Sequence, residues 1–234
     1  CTACGAGAVT FSAPGVANVS TRGNTMTVNQ KPARAVLNWQ SFDIARGNTV
    51  KFKQPSSNAI ALNRIHDANP SEIFGNLNAN GQIYLINQNG IVFGRSARVD
   101  THSLVASSLD MQDEVFATSG IIGAINDAGG AKAAFEGSGT LGAITIAPGA
   151  ELTAAEGGRI LLLAPQIKNG GTITTPGGQA IAAAAGIRCG LGTMLESHFG
   201  THAQVHFAAT LQQLSLIHIS EPTRLRRISY AVFC

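Results

Sequence analysis

Over residues 80–99 the chain reads NGQIYLINQNGIVFGRSARV, short runs of strand-forming residues cut by Asn and Gly. Apolar and β-branched runs bounded by such breakers predict strands, and the Asn-Gly pairs predict turns. The same phrases return downstream. NGQIYLIN (80–87) can be laid over GGRILLLA (157–164) and GGQAIAAA (177–184), and IVFGRSARV (91–99) over ITIAPGAEL (144–152). A further series keeps a step of 21 residues, from Ile146 to Ile167, Leu152 to Ile173 and Ile160 to Ile181. Self-similarity at a period near 20 is the mark of a solenoid.

No helical period of 3.6 survives between the repeats, which excludes helix-bearing leucine-rich repeats and predicts an all-β parallel β-helix. Each turn of chain would supply two or three short strands, each paired with its equivalent one turn on, ~4.8 Å away. Gly is then needed where the chain bends with positive φ. Small apolar residues would suit a narrow interior, and Asn at successive corners could bond its neighbours in ladders. About ten turns are expected, a rod ~45–50 Å long at that spacing. Two stretches break the pattern. SSLDMQDEVFATSG (107–120) reads as a short helix or an excursion from the rod. Residues 186–213 lose the repeat, and 187–213 read as a doubtful segment that a frameshift near Ile187 would explain.

Composition fits this picture and narrows it. Only 12% of residues are charged, yet 44% are hydrophobic and 27 are Gly, which suits many short strands rather than disorder. No apolar run reaches the ~20 residues of a membrane-spanning helix. The chain starts without Met or a signal peptide, so it is expected to begin within a gene or after processing. Residues 214–234, LSLIHISEPTRLRRISYAVFC, resemble the translation of a transposase-type sequencing adapter, with LRR in the index position. Setting aside Arg224, Arg226, Arg227 and Glu221 takes the 16 basic and 13 acidic residues to 13 and 12. The apparent basicity then implies no nucleic-acid or membrane partner.

Candidate chemistry is sparse. Cys1 and Cys4 form a lone CxxC at a terminus, and Cys189 stands apart, so neither a metal site nor a redox role is expected. His198, His202 and His206 share a spacing of four without the Glu of HExxH, and read as surface or out-of-frame residues. Asp110, Asp113 and Glu114 read as solvated acids at a helix start, which complement the helix dipole, rather than as a catalytic pair. GAGAVTFSAPG lacks the ending of a phosphate loop, no GxSxG places a nucleophile, and Trp39 reads as a core or capping aromatic. No catalytic residue, metal or cofactor is expected.

One resemblance adds to this reading. The stretch GNTMTVNQKPARAVLNWQSFDIARGNTVKFKQPSSNAIALNRI, followed by NANGQIYLINQNGIVFGRSARVDTHSLVASSLDM, is similar to the secretion domain of filamentous haemagglutinin-type exoproteins. Gram-negative bacteria use that domain in two-partner secretion. The resemblance runs over residues 23–186, with 1–22 as a lead-in. Its most specific marks are Asn38-Trp39-x-x-Phe42, Ala61-Leu62-Asn63-Arg64-Ile65, Asn87–Ile91 and Leu104-Val-Ala-Ser107. Family members usually carry Asn-Pro-Asn-Gly-Ile where this chain has Asn87, Gln88, Asn89, Gly90 and Ile91.

The resemblance implies a right-handed β-helix with N-terminal cap strands. It also implies that Asn38, Trp39, Phe42, Asn63, Arg64 and residues 87–91 form cap or transporter-recognition motifs. The implied partner is an outer-membrane β-barrel transporter whose periplasmic domains bind the chain before it folds. Folding outside the cell would then oppose back-sliding. The whole exoprotein would be a secreted or surface adhesin, haemolysin or contact-dependent toxin, meeting host or neighbouring cells through downstream regions. A polysaccharide-acting β-helix enzyme would need charges converging on one face of the rod, and this chain has few. A plain structural solenoid would lack the motifs around Trp39 and Asn87.

Overall fold

The structure is a computed structural model that describes residues 9–11, 15–118, 135–137, 139–184 and 204–209. Cys1, Cys4, Cys189, His198, His202 and the adapter-like residues 214–234 lie outside them. Two antiparallel pairings open the fold: β1 (Val9–Phe11) with β4 (Arg34–Trp39), and β2 (Ala17–Arg22) with β3 (Thr25–Gln30). From β3 on, the stack is parallel. The chain runs through β5 (Thr49–Lys53), β6 (Ile60–Ile65), β7 (Ser71–Ile73), β8 (Asn76–Ala79) and β9 (Gln82–Asn87). It continues through β10 (Ile91–Phe93), β11 (Arg98–Thr101) and β12 (Ser103–Ser107). An excursion follows, made of β13 (Asp110–Met111), α1 (Asp113–Thr118) and β14 (Phe135–Glu136). The stack then resumes with β15 (Ile144–Ile146), β16 (Glu151–Ala154), β17 (Arg159–Ala164), β18 (Ile167–Asn169), β19 (Thr172–Thr174) and β20 (Gln179–Ala184), and β21 (Gln204–Ala209) lies last.

Three sheets wrap one core. The long sheet has the order β1-β4-β6-β9-β12-β17-β20-β21, the middle sheet β19-β16-β11-β8-β5-β3-β2, and the short sheet β18-β15-β10-β7. The chain is therefore a parallel β-helix with antiparallel cap strands. Its described residues make about six turns rather than the ten expected, a stack ~29 Å long at ~4.8 Å per turn. The difference comes from the cap, the corners and the excursion, which all use chain without adding a turn.

The phrase alignments hold in register. Ile83, Leu104, Ile160 and Ala180 stand in one column, and Ile91 to Phe93 pair with Ile144 to Ile146. The constant step does not. Leu152 pairs with Ile173, but Ile167 pairs with Ile144 rather than Ile146, and Ile181 with Leu161 rather than Ile160. Corner lengths vary from turn to turn, so a step counted along the sequence drifts by one or two residues from the ladder.

Burial follows the period of each sheet. In β3 and β5 alternate residues point inward, among them Met26, Val28, Val50 and Phe52, and the outer face of the middle sheet meets solvent. In β9 and β12 nearly every residue is buried, because this part of the long sheet is covered on both faces. Inside lies the main core. Outside, Ile60, Leu62, Tyr84, Ile86 and Val105 pack with Met111 and Phe116 from the excursion. The interior also holds large aromatics, with Trp39, Phe42, Phe52 and Phe93 all essentially sealed from solvent, so it is wider than small apolar residues alone would need.

Candidate functional site

The residues singled out by sequence fall into three places. The first is the interior of the rod near its capped end. Trp39 ends β4 and Phe42 follows its corner; both are fully buried and meet edge to face, with ring centroids 5.1 Å apart. An indole N–H in such a place needs an acceptor, and Asn63, one turn on, supplies it: Trp39 Nε1 donates to Asn63 Oδ1 at 2.9 Å. Asn63 Nδ2 in turn donates to Ala61 O and Tyr84 O, which ties three successive turns together. Asn38 points the other way, within 3.2 Å of the exposed ring of His66.

The second place is the corner between β9 and β10. Asn87 is buried; its Nδ2 donates to Asn69 O and Ser71 Oγ, and its Oδ1 accepts Asn89 N. Gly90 N donates to Asn87 O at 2.9 Å, closing a four-residue turn with Gln88 at its second position. Asn89 Nδ2 reaches Asp67 O. Gly90 has φ +103°, and a Cβ there would stand 2.5 Å from Ala143 O, so only glycine fits. Ile91 is buried at the start of β10, while Gln88 and Asn89 are exposed. Gln88 O accepts Gly142 N from the next turn.

A related corner joins β8 to β9. Gln54 N donates to Asn80 Oδ1, and Asn80 Nδ2 returns a bond to Gln54 O. Gln54 Nε2 also reaches Gln30 Oε1, so the corner ladder is built of Gln as well as Asn. Gly81 leaves room for it: a Cβ at 81 would meet Gln54 Oε1 at 2.6 Å.

The third place lies outside the rod. Arg64 Nε donates to Asp110 Oδ1 at 2.8 Å, and its Nη2 to Asp113 Oδ1 at 2.9 Å and Met111 O at 2.7 Å. Burial works against the charged guanidinium, but the bonds to Asp113 and Asp110 outweigh it and hold its pKa above the ordinary value. Asp110 and Asp113 are thus ion-paired rather than simply solvated. That link spans 46 residues or more and carries no local signal in the sequence. Arg34 was missed for the same reason; its Nη1 donates to Phe116 O and Ala117 O near the end of α1.

Little else converges. The groove lined by Asp43, Ala45, Arg46, Glu72, Phe74, Arg95 and Ser96 holds one perturbed acid. Burial pushes the Asp43 carboxyl up, and the charges of Asp67 and Glu72 add to it, while the bond accepted from Glu72 N opposes them. Among the described residues no three His, Cys, Asp or Glu stand close enough to hold a metal ion. No described helix is long and apolar enough to cross a membrane. His206 lies in β21, a strand.

A family model for the TPS secretion domain matches residues 7–225. The heme/hemopexin-binding protein of Haemophilus influenzae (strain ATCC 51907 / DSM 11121 / KW20 / Rd) is 44% identical over 98 residues, 42% of this chain and 11% of that protein. A second heme/hemopexin-binding protein from Haemophilus influenzae is 39% identical over 92 residues, 39% of this chain and 10% of its own. The chain thus matches about a tenth of the length of these relatives. Its fold is similar to the crystal structure of the HMW1 secretion domain from Haemophilus influenzae. The TM-score is 0.59 at 19% identity, over 87% of this chain and 57% of that one.

Proposed function

The chain belongs to the TPS secretion domain family, and from that premise we propose that it addresses a much larger exoprotein to an outer-membrane transporter. Proteins with this domain are exported across the outer membrane. The transporter's periplasmic domains take hold of the chain while it is extended. Outside, the stack forms turn upon turn, and each closed turn makes return through the pore less favourable without ATP.

The burial of the motifs supports this order. Trp39, Phe42, Asn63 and Asn87 are inaccessible once the turns close. A partner that reads them must do so before folding. Asn38, Arg64, Gln88 and Asn89 keep at least part of their surface afterwards. The domain performs no chemistry of its own; the purified chain should leave polysaccharides intact, and turnover lost on changing a single Asp would refute that.

The test is export. The chain is placed behind a signal peptide in a Gram-negative host, with or without a two-partner outer-membrane transporter. Accumulation in the medium only with the transporter supports the proposal. Equal release without it, or retention in the periplasm with it, rejects the proposal.

A further inference from the structure

We propose that Arg64 and Arg34 form a two-point clasp that closes residues 110–117 over the outer face of the long sheet as a late, separable step of folding. The inference rests on the proposed function only in that the stack forms turn upon turn, here taken to start from its capped N-terminal end. Three observations carry it. The outer apolar stripe of Ile60, Leu62, Tyr84, Ile86 and Val105, with Val36 beside it, belongs to β4, β6, β9 and β12, all of which precede residue 110; only Leu161 of β17, at its edge, comes later. The side chains that cover it, Met111 and Phe116, come later in the chain; Phe116 meets the Tyr84 ring edge on, with centroids 6.3 Å apart.

The polar contacts have the same order. Arg34 and Arg64 lie on two adjacent strands, and each donates to excursion residues 46 to 83 positions further on. The Arg64 side chain is only 16% exposed, whereas Asp110 and Asp113 are 40% and 73% exposed. The stack therefore presents its arginines first, and the excursion brings the acids to them. Main-core residues such as Leu37, Ala61, Ile83 and Leu85 pack in a separate cluster inside the rod. Until the clasp closes, an apolar face is open on an otherwise stacked rod, and closure removes it from further contact.

The test uses the full chain. Amide hydrogen exchange is followed at Met111 and Phe116 and, as a reference, in β6 and β9. Arg64→Met removes the fork while keeping an unbranched apolar stem. The double variant D110N/D113N changes only partly exposed partners, leaves Arg64 its bond to Met111 O, and keeps at position 110 an amide oxygen for Met111 N, so Phe116 gives the reading free of that local bond. Both variants should speed exchange at 111 and 116 by about tenfold or more, and raise binding of an apolar fluorescent dye several-fold. Exchange in β6 and β9 should stay as it was. In refolding, fluorescence of Trp39, the single tryptophan, should reach its final value before 111 and 116 become protected. Loss of protection in β6 and β9 together with 111 and 116, no change at 111 and 116 in either variant, or simultaneous arrival of the two refolding signals would each overturn the clasp. These readings need no transporter, so their failure leaves the export test standing, and the reverse.

Discussion

Asn63 carries more of the fold than its size suggests. Three of its contacts are buried hydrogen bonds, one of them to the only tryptophan, and they join three successive turns. Asn63→Ala leaves the Trp39 N–H and two carbonyls without this partner, which should cost about 1–3 kcal/mol, read as a lower midpoint in denaturant with an unchanged slope. The corner at Gln88 should respond the other way. Gln88 sits second in a four-residue turn, where proline's fixed φ fits, and Asn87 before it is already in a strand. Gln88→Pro should stabilise by roughly 0.4–1 kcal/mol, a rise in Tm of about 1–4 °C for a chain of this size. A fall in Tm would mean that the Gln88 N–H or a different φ is needed. At this scale the sequence was readable in part. Trp39 could be taken as a core aromatic from its apolar setting, and Asn87–Ile91 as a corner from Asn and Gly. Nothing local to Asn63 showed that its partner was an indole one turn away, because stacking contacts join residues more than twenty positions apart.

The short sheet shows how an element's end is finished. Its first strand, β7, has no full neighbour on one side, only the bridge from Ile44. Asp43 completes that edge by accepting Glu72 N at 2.8 Å, doing with a carboxylate what a strand carbonyl would do. The folded state holds the Asp43 proton more tightly than the ordinary value of 3.8 implies. The stability linked to that proton is complete below pH 3.8 and is lost as pH rises through the folded value. At neutral pH the ionised carboxylate is therefore a liability. Asp43→Asn keeps an acceptor for Glu72 N without the charge. It should be more stable than the parent at pH 7 and should lose that advantage below pH 3.8, as followed by thermal unfolding across the range. An advantage that grows towards acid pH would contradict the assignment. Elements were largely legible: the repeated phrases aligned β9 with β17 and β20, and β10 with β15. The fixed step was not, because it ignored corners of unequal length. The grip of Arg64 and Arg34 on the excursion was hidden by sequence distance.

The molecule as a whole is a short stack with one end capped by antiparallel strands and one flank covered by its own excursion. Stability in such a stack is carried by neighbouring turns, so damage near the cap should spread further than damage at a surface corner. Residues 214–234, if they are translated adapter, were never selected to pack here; their removal should shift Tm by no more than a few degrees, and a larger drop would make them part of the fold. The central claim is that the motifs are read in the extended chain and then locked inside the rod. Its most direct test is binding of the purified periplasmic domains of the partner transporter to this chain, presented either freshly diluted from denaturant or fully refolded. Binding to the unfolded chain that decays in step with the Trp39 fluorescence of refolding is the result expected. Equal or tighter binding to the refolded rod, with Trp39, Phe42 and Asn63 already buried, would contradict the account.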